Sequence, residues 1–360
     1  MSVQILNINE LNSLVHRFAI PQTDLFLIAI NRYGLKANVP DKRLRFKIRL
    51  LACNEIFYMA VCINTFDSPF NFDEHGRIFM NEKIIGYIFD IEKDTCDTTY
   101  YRRNKTEMTL NSNMRSQCEG CTFCGTYNLE PEDRIDMSDE NKISAFLDRY
   151  LKENQMNDLS NLVRVTVCTG CFSDEMKLIE HILKIYKVFN KYGFNKRIRY
   201  IGSQIRTKEA MDIIQKIIPF FSLSLTVECF TNRELRMRKE KASLDMNGIK
   251  SVLKNSLEHN FSTNYLYIIG LDELSIFEQG VRELYNLINR LPVFQVMQNF
   301  INEHEEQRVC EAKELEYYLK ARKIIESIFE KTNLKPRSWE NYRGLFYTMY
   351  KNEPLNCIRI

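Results

Sequence analysis

Between residues 160 and 300 one pattern of apolar and polar positions recurs. A short β-branched or aromatic run gives way, often after a glycine, to an amphipathic stretch with helical spacing. The runs are 162–168, 197–201, 223–229, 265–269 and 293–297, and a shorter one, 107–110, precedes them. Helices are predicted near 174–186, 208–218, 248–258 and 276–291, with Thr207 placed to cap the second. Ahead of these, Ile143, Phe146, Leu147, Tyr150 and Leu151 fall at i, i+3, i+4, i+7 and i+8. That is one buried face of a helix, which Ser138 can cap. Strands alternating with amphipathic helices imply parallel βαβ units joined by right-handed crossovers. Six such strands make an open doubly wound sheet or a partial barrel, and periodicity does not choose between them. In a parallel barrel the chemistry sits at the carboxyl ends of the strands.

The flanks read differently. In 43–51, Arg43, Arg45, Lys47 and Arg49 alternate with Leu44, Phe46, Ile48 and Leu50, a strand with one solvated face. Residues 56–64 can pair with it, 77–89 reads as two short strands around a turn, and 25–30 is a short apolar run. Residues 1–105 are therefore expected to form a small, mixed, β-rich accessory region, and 106–300 the central unit. Arg102, Arg103 and Lys105 read as solvated surface, with anion contact near an active-site mouth as the sharper alternative. Residues 301–360 read as a C-terminal helical region, with Leu315, Tyr318, Leu319, Ile324, Ile325 and Ile328 as its stripe. Trp339, Tyr342, Phe346 and Tyr347 are expected to pack across the open side of the sheet. A substrate lid using Trp339, Tyr342 and Arg343 is the alternative.

Composition narrows the class. The chain has 360 residues, 44% of them hydrophobic, and its charges nearly balance at +3. A sizeable core is available, and the overall charge gives no case for nucleic acid or an anionic membrane. No apolar run approaches the ~20 residues that span a bilayer. Residues 1–12 lack a basic segment followed by an apolar run, so no signal peptide is expected. The 11 cysteines are accordingly expected to be reduced, in a cytoplasmic protein.

Cys118, Cys121 and Cys124 fall within seven residues. Three thiolates this close suit one metal centre. A mononuclear zinc site takes four ligands. A cubane iron–sulfur cluster held by three cysteines leaves one iron open. Gly120 and Gly125 would let backbone N–H groups approach the sulfurs. A structural zinc knuckle that borrows a distant ligand is the competing reading. Cys168 and Cys171 form a separate CxxC pair, read as buried thiols.

With Phe123 just before the third cysteine, this loop resembles the cluster motif of the radical S-adenosylmethionine (SAM) superfamily. Cys121 and Cys124 match its spacing, while the first gap holds two residues where the family has three. The resemblance covers roughly residues 106 to 300. It implies an α/β fold, a partial (β/α)6 TIM-like barrel with the N-terminal β-rich region and C-terminal helices packed on it. It implies a 4Fe-4S cluster on Cys118, Cys121 and Cys124, SAM on the open iron, and an external electron donor of the flavodoxin or ferredoxin type. One electron then cleaves a carbon–sulfur bond of SAM, usually giving a 5′-deoxyadenosyl radical that abstracts hydrogen from substrate.

The resemblance also implies cofactor-binding positions at strand ends. Phe123 would lie near the SAM adenine, and Thr169 and Gly170 at the methionyl amino group. Ser203 and Gln204 would face substrate or the SAM carboxylate. Glu228 would take the ribose hydroxyls, Arg233 the carboxylate, and Ile269 with Gly270 would flank the adenine. Each has an ordinary structural reading: turns at Gly170 and Gly270, helix capping at Ser203, a Glu228–Arg233 pair, and a solvated basic face over 233–241.

No substrate is legible. A small metabolite or natural-product intermediate is expected, with a tRNA or peptide as the next choice and residues 1–105 as its recognition module. The short first cysteine gap leaves aminocarboxypropyl transfer open. The non-enzymatic alternative is a zinc or iron–sulfur interaction protein.

Overall fold

A computed structural model describes residues 7–65, 67–93, 100–102, 105–112, 120–124, 136–337 and 343–352. Arg103, Cys118, Gly125, Trp339 and Tyr342 lie outside the described residues, so the expectations placed on them stand untested.

Two helices open the described chain. In α1 (Ile8–Phe18) Asn7 accepts from the N–H groups of Asn9 and Glu10, while Glu10 accepts from the Asn7 N–H. This reciprocal cap satisfies donors that a helix start leaves bare. α2 (Gln22–Tyr33) absorbs the apolar run at 25–30, and nearly all of its residues are buried. Burial all round, of Asp24, Asn31 and Arg32 as well as the apolar residues, means that other elements enclose it.

Five strands follow: β1 (Arg43–Leu50), β2 (Phe57–Cys62), β3 (Phe70–Phe72), β4 (Arg77–Met80) and β5 (Lys83–Lys93). They form an antiparallel sheet in the order β2-β1-β5-β4-β3. The strand alternation holds, but the charged face of β1 is not uniformly solvated. Arg43 and Arg45 are buried while Arg49 is exposed, because Phe300 lies against this end of the strand, its ring centre 5.0 Å from the Arg43 guanidinium.

The second sheet holds β6 (Tyr100–Arg102), β7 (Glu107–Asn111), β8 (Arg164–Cys168), β9 (Arg197–Gly202), β10 (Phe221–Glu228), β11 (Ser262–Ile269) and β12 (Val293–Val296). β7 to β12 are parallel and neighbour one another in chain order; β6 adds an antiparallel edge beside β7. The crossovers carry α3 (Glu140–Glu153), α4 (Glu175–Lys191), α5 (Lys208–Ile217), α6 (Arg233–Arg236), α7 (Lys239–Ala242), α8 (Met246–Glu258) and α9 (Leu274–Leu284). α3 packs on α4, α4 on α5, and α5 on α8, so the long helices line one face. Each crossover steps the same way with the same hand. The helix-free face therefore turns inward, which is the arrangement of a partial barrel with six parallel strands. Asp139 rather than Ser138 caps α3, and Asp174 and Thr207 cap α4 and α5.

The inward face is polar, which periodicity did not reveal. Arg164 reaches Glu107 at 2.5 Å, Arg199 donates to Ser224 at 2.9 Å, and Ser224 donates to Asn264 at 2.5 Å. Arg290 donates to Ser222 at 3.0 Å. The apolar neighbours of these residues, such as Val165, Ile198, Leu223 and Tyr265, belong to the main core.

That core is continuous from Leu11 to Tyr350. α10 (Leu315–Phe329) packs on α9 and α2. Arg322 pairs with Asp24, and Asp24 also accepts from the N–H groups of Tyr347 and Thr348. Arg32 pairs with Glu305 at 2.6 Å. Gln298, just past β12, donates to the Ala60 carbonyl of β2 at 2.8 Å. The N-terminal region thus seals the β12 side of the barrel together with the C-terminal helix.

Candidate functional site

The cysteine loop lies over the carboxyl ends of β10, β11 and β12. Cys121 and Phe123 are buried in a small cluster of their own with Cys229, Met237, Ile268, Leu271 and Met297; Cys124 packs against it. Cys229 follows β10, Ile268 lies at the end of β11 with Leu271 just past it, and Met297 follows β12. A tight turn, with the Cys124 N–H donating to the Cys121 carbonyl at 2.9 Å, brings the last two cysteines close along the chain. Gly120 enters this turn at φ 83, a conformation costly for a residue with a Cβ.

Thr122 anchors the loop. Its N–H donates to the Arg236 carbonyl at 2.9 Å, its hydroxyl to Gln307 Oε1 at 2.8 Å, and its carbonyl accepts from Gln307 Nε2 at 3.0 Å. Arg236 is held in turn by the Leu271 carbonyl and, at 3.3 Å, by the Gln307 carbonyl. Sequence reasoning missed both Arg236 and Gln307. Neither sits at a strand end or in a motif, so their only signal is spatial.

Beside the loop, β8, β9 and β10 end in polar groups without partners among the described residues. Thr169 Oγ1, Ser203 Oγ, Thr226 Oγ1 and Glu228 Oε2 are buried side-chain oxygens with no hydrogen bond to any described residue. Such groups are costly when dry and are normally satisfied. Four of them at the ends of three adjacent strands mark where a polar ligand would be accepted. The other Glu228 oxygen pairs with Lys241 at 2.7 Å, both side chains being largely buried. Burial works against the Lys241 ammonium, but Glu228 and then Cys121 hold its pKa above the usual lysine value. Glu228 itself sits at φ 69, where the pairing with β11 slips by one residue.

The remaining expected residues divide. Gln204 closes on the main chain of Phe172, accepting from its N–H at 3.0 Å and donating to its carbonyl at 2.9 Å. It thereby fixes the turn that carries Thr169 and Gly170. Arg233 donates to the Val227, Cys229 and Lys241 carbonyls at 2.6, 2.5 and 2.9 Å. Its two terminal nitrogens thus brace the chain after β10, and the ion-pair partner of Glu228 is Lys241. The stretch 233–241 is therefore not simply a solvated basic face. It folds back over the strand end, with Arg233, Arg236 and Lys241 turned partly inward and Leu235 and Lys239 outward.

On β11 it is Ile268 that touches the cysteine cluster, while Ile269 belongs to the main core. Gly270, at φ 122, is closely covered: a Cβ there would lie 3.1 Å from the Tyr318 hydroxyl and 3.2 Å from Arg308 Nη1. Lys105 is at the other end. It lies in the turn before β7, at the amino ends of the parallel strands, and donates to Asn154 at 2.7 Å. Cys168 and Cys171 are not joined in a disulfide; Cys171 is buried as expected, whereas Cys168 is only half-buried.

Three further polar groups surround the site. Asp272, fully buried, accepts from the Phe230 and Thr231 N–H groups and from the Tyr267 hydroxyl. The Cys229 thiol is pushed up to about 12 by burial, then by Asp272, and is protonated in this state. His181 meets Ser112, just past β7, at 2.8 Å, and burial lowers its pKa to about 4. Among the described residues no three metal-ligating side chains converge, Cys118 lying outside them. An open cleft lined by residues such as Arg290, Pro292 and Lys335 lies elsewhere, at the amino end of β12, and shares no residue with the cysteine loop or the four unpartnered oxygens.

No family model matches the sequence, and no curated protein matches it. Solved structures are similar over about half of the chain, among them the following two. Streptococcus suis SuiB bound to precursor peptide SuiA is 14% identical over 53% of this chain and 38% of that one, with a TM-score of 0.34. Coproporphyrinogen III oxidase (HemN) from Escherichia coli, described as a radical SAM enzyme, is 16% identical over 57% and 46%, with a TM-score of 0.35. The chain spans less than half the length of either. Likeness this low assigns no activity.

Proposed function

We propose that the chain is a radical SAM enzyme. The reading rests on one observation: a loop carrying closely spaced cysteines lies at the same end of the parallel sheet as four buried oxygens without partners among the described residues. The donor set fits the expected groups. Cys121 and Cys124, with Cys118, would hold a 4Fe-4S cluster through thiolates, leaving one iron for SAM. Glu228 Oε2 can accept from ribose hydroxyls. Thr169, Ser203 and Thr226 offer hydroxyls that donate or accept. When bound, the cluster and SAM supply one-electron cleavage of a carbon–sulfur bond.

The chain's own residues prepare that site. Lys241 orients the Glu228 carboxylate and leaves its second oxygen free toward the strand ends. Gln204 fixes the turn after β8, and Arg233 fixes the chain after β10. Phe123, Ile268, Leu271 and Met297 form an apolar wall that keeps water from the cysteine side. Arg233 serves here as a brace, in place of the carboxylate contact expected from sequence. A flavodoxin- or ferredoxin-type protein would deliver the electron, and the substrate would enter at the strand ends.

Anaerobic reconstitution tests the reading. The expected product is a brown protein with about four irons per chain that cleaves SAM under dithionite. Cys118→Ala, Cys121→Ala and Cys124→Ala should each abolish both properties. A colourless protein holding one zinc ion would instead establish the structural-metal alternative.

A further inference from the structure

The outer face of the N-terminal sheet carries a pattern that the barrel does not use. Lys47 of β1 stands opposite Tyr58 of β2 and Phe89 of β5. Arg49 stands opposite Tyr87 of β5, and Tyr87 opposite Arg77 of β4. Arg77 lies 5.6 Å from the Phe79 ring centre, which puts Phe79 on the same face. None of these side chains is buried, and Arg49 and Tyr87 are exposed. The opposite face, with Phe46, Ile48, Met59, Ile78 and Met80, is wholly core. Aromatic rings on the solvent side of a sheet, interleaved with cations, do nothing for that core.

Two carboxylates fix the cations: Asp90 holds Lys47 at 2.8 Å and Asp73 holds Arg77 at 2.6 Å. Arg49 has no carboxylate partner among the described residues. Alternation continues the row to Arg45 and Arg43, but both are buried, Arg43 against Phe300, so the solvent-facing stripe ends at Lys47.

We propose that this face binds a single-stranded nucleic acid. Bases stack on Tyr87, Phe89 and Phe79, and a phosphate pairs with Arg49, while Lys47 and Arg77, each held by a carboxylate, flank its path. Flat rings accept any base, and cations spaced along a strand track the backbone. An acidic peptide would use the cations but not the exposed Tyr87 ring or the half-buried Phe79 and Phe89 beside it. The near-neutral whole chain does not oppose this, because the cations that matter share one face. The inference extends beyond the radical reading and does not depend on it, since binding needs neither cluster nor SAM.

The test is fluorescence anisotropy on the full chain with a labelled uridine oligomer of about 12 nucleotides, within the usual span of a single binding fold. A duplex of the same length serves as competitor. The single strand should bind and the duplex should compete poorly. Tyr87→Ala and Arg49→Gln should each weaken binding about tenfold, and Arg49→Gln should also flatten the salt dependence. Both side chains are exposed, so circular dichroism should be unchanged, and Tyr285→Ala on a distant exposed turn should bind as the parent does. Absence of single-strand binding would overturn the proposal. So would equal affinity for duplex, or binding indifferent to both variants. Loss of self-association in those variants, without any nucleic-acid binding, would mark the face as a contact between copies and would equally overturn it.

Discussion

Glu228 occupies a left-handed backbone conformation at the end of a buried strand, and its charge is balanced by Lys241 alone among the described cations within ion-pair distance. Removing that partner strands a carboxylate in a dry setting. Lys241→Met should cost about 3–5 kcal/mol of stability, read from denaturant unfolding, and Glu228→Gln in the same chain should restore part of it. Gly270 offers a second test at this scale. Its φ of 122 and the atoms crowding its missing Cβ predict that Gly270→Ala loses roughly 1–3 kcal/mol. His181 gives a pH signature. Its folded pKa of about 4 lies below the ordinary 6.5, through burial first and the nearby Lys184 second. The unfolded chain therefore takes up the proton first as pH falls. Stability is fully present above about pH 6.5 and drops toward pH 4, by roughly 3 kcal/mol at about 1.4 kcal/mol per unit. His304, also lowered by burial, adds to the same trend. His181→Asn should flatten the pH profile of the unfolding midpoint without removing it.

At the level of elements, the cysteine loop owes its position to Thr122 and Gln307 rather than to strand pairing. Gln307→Ala removes two hydrogen bonds from an exposed contact. It should leave global stability within about 1 kcal/mol while lowering the iron retained after reconstitution and speeding its loss to a chelator. An unchanged iron content would show that the loop needs no such anchor. The strands and helices behind the loop were legible from periodicity: predicted and observed bounds of β8 to β12 differ by a few residues at most. The helices capped by Asp174 and Thr207 begin where the side-chain signals put them, because a cap is a local bond between near neighbours. The inner polar layer was not legible, because an arginine or serine in a strand has the same spacing whether it faces solvent or a lumen.

Across the whole molecule, α2 and α10 are tied together through Asp24 and Arg322, both fully buried, with the backbone of Tyr347 and Thr348 closing on the same carboxylate. Arg322→Leu should destabilise the full chain by about 3–5 kcal/mol, because it leaves Asp24 charged and enclosed. The double substitution Asp24→Leu with Arg322→Leu should be less damaging than the single one, as thermal unfolding would show. A loss equal to the sum of the two single changes would mean the pair is uncoupled.

The order of strands and helices, the buried faces of the helices and the cysteine spacing were all written locally, in residues a few positions apart. Those features determined the fold class and pointed to Cys118, Cys121 and Cys124. Tertiary structure alone decided which groups share space: Lys241 with Glu228, Gln307 with Thr122, Ile268 rather than Ile269 against Phe123, and Arg43 over Phe300. The physical reason is that ion pairing, desolvation and close packing act between atoms brought together by the whole fold. Their strength depends on distances that sequence separation does not encode.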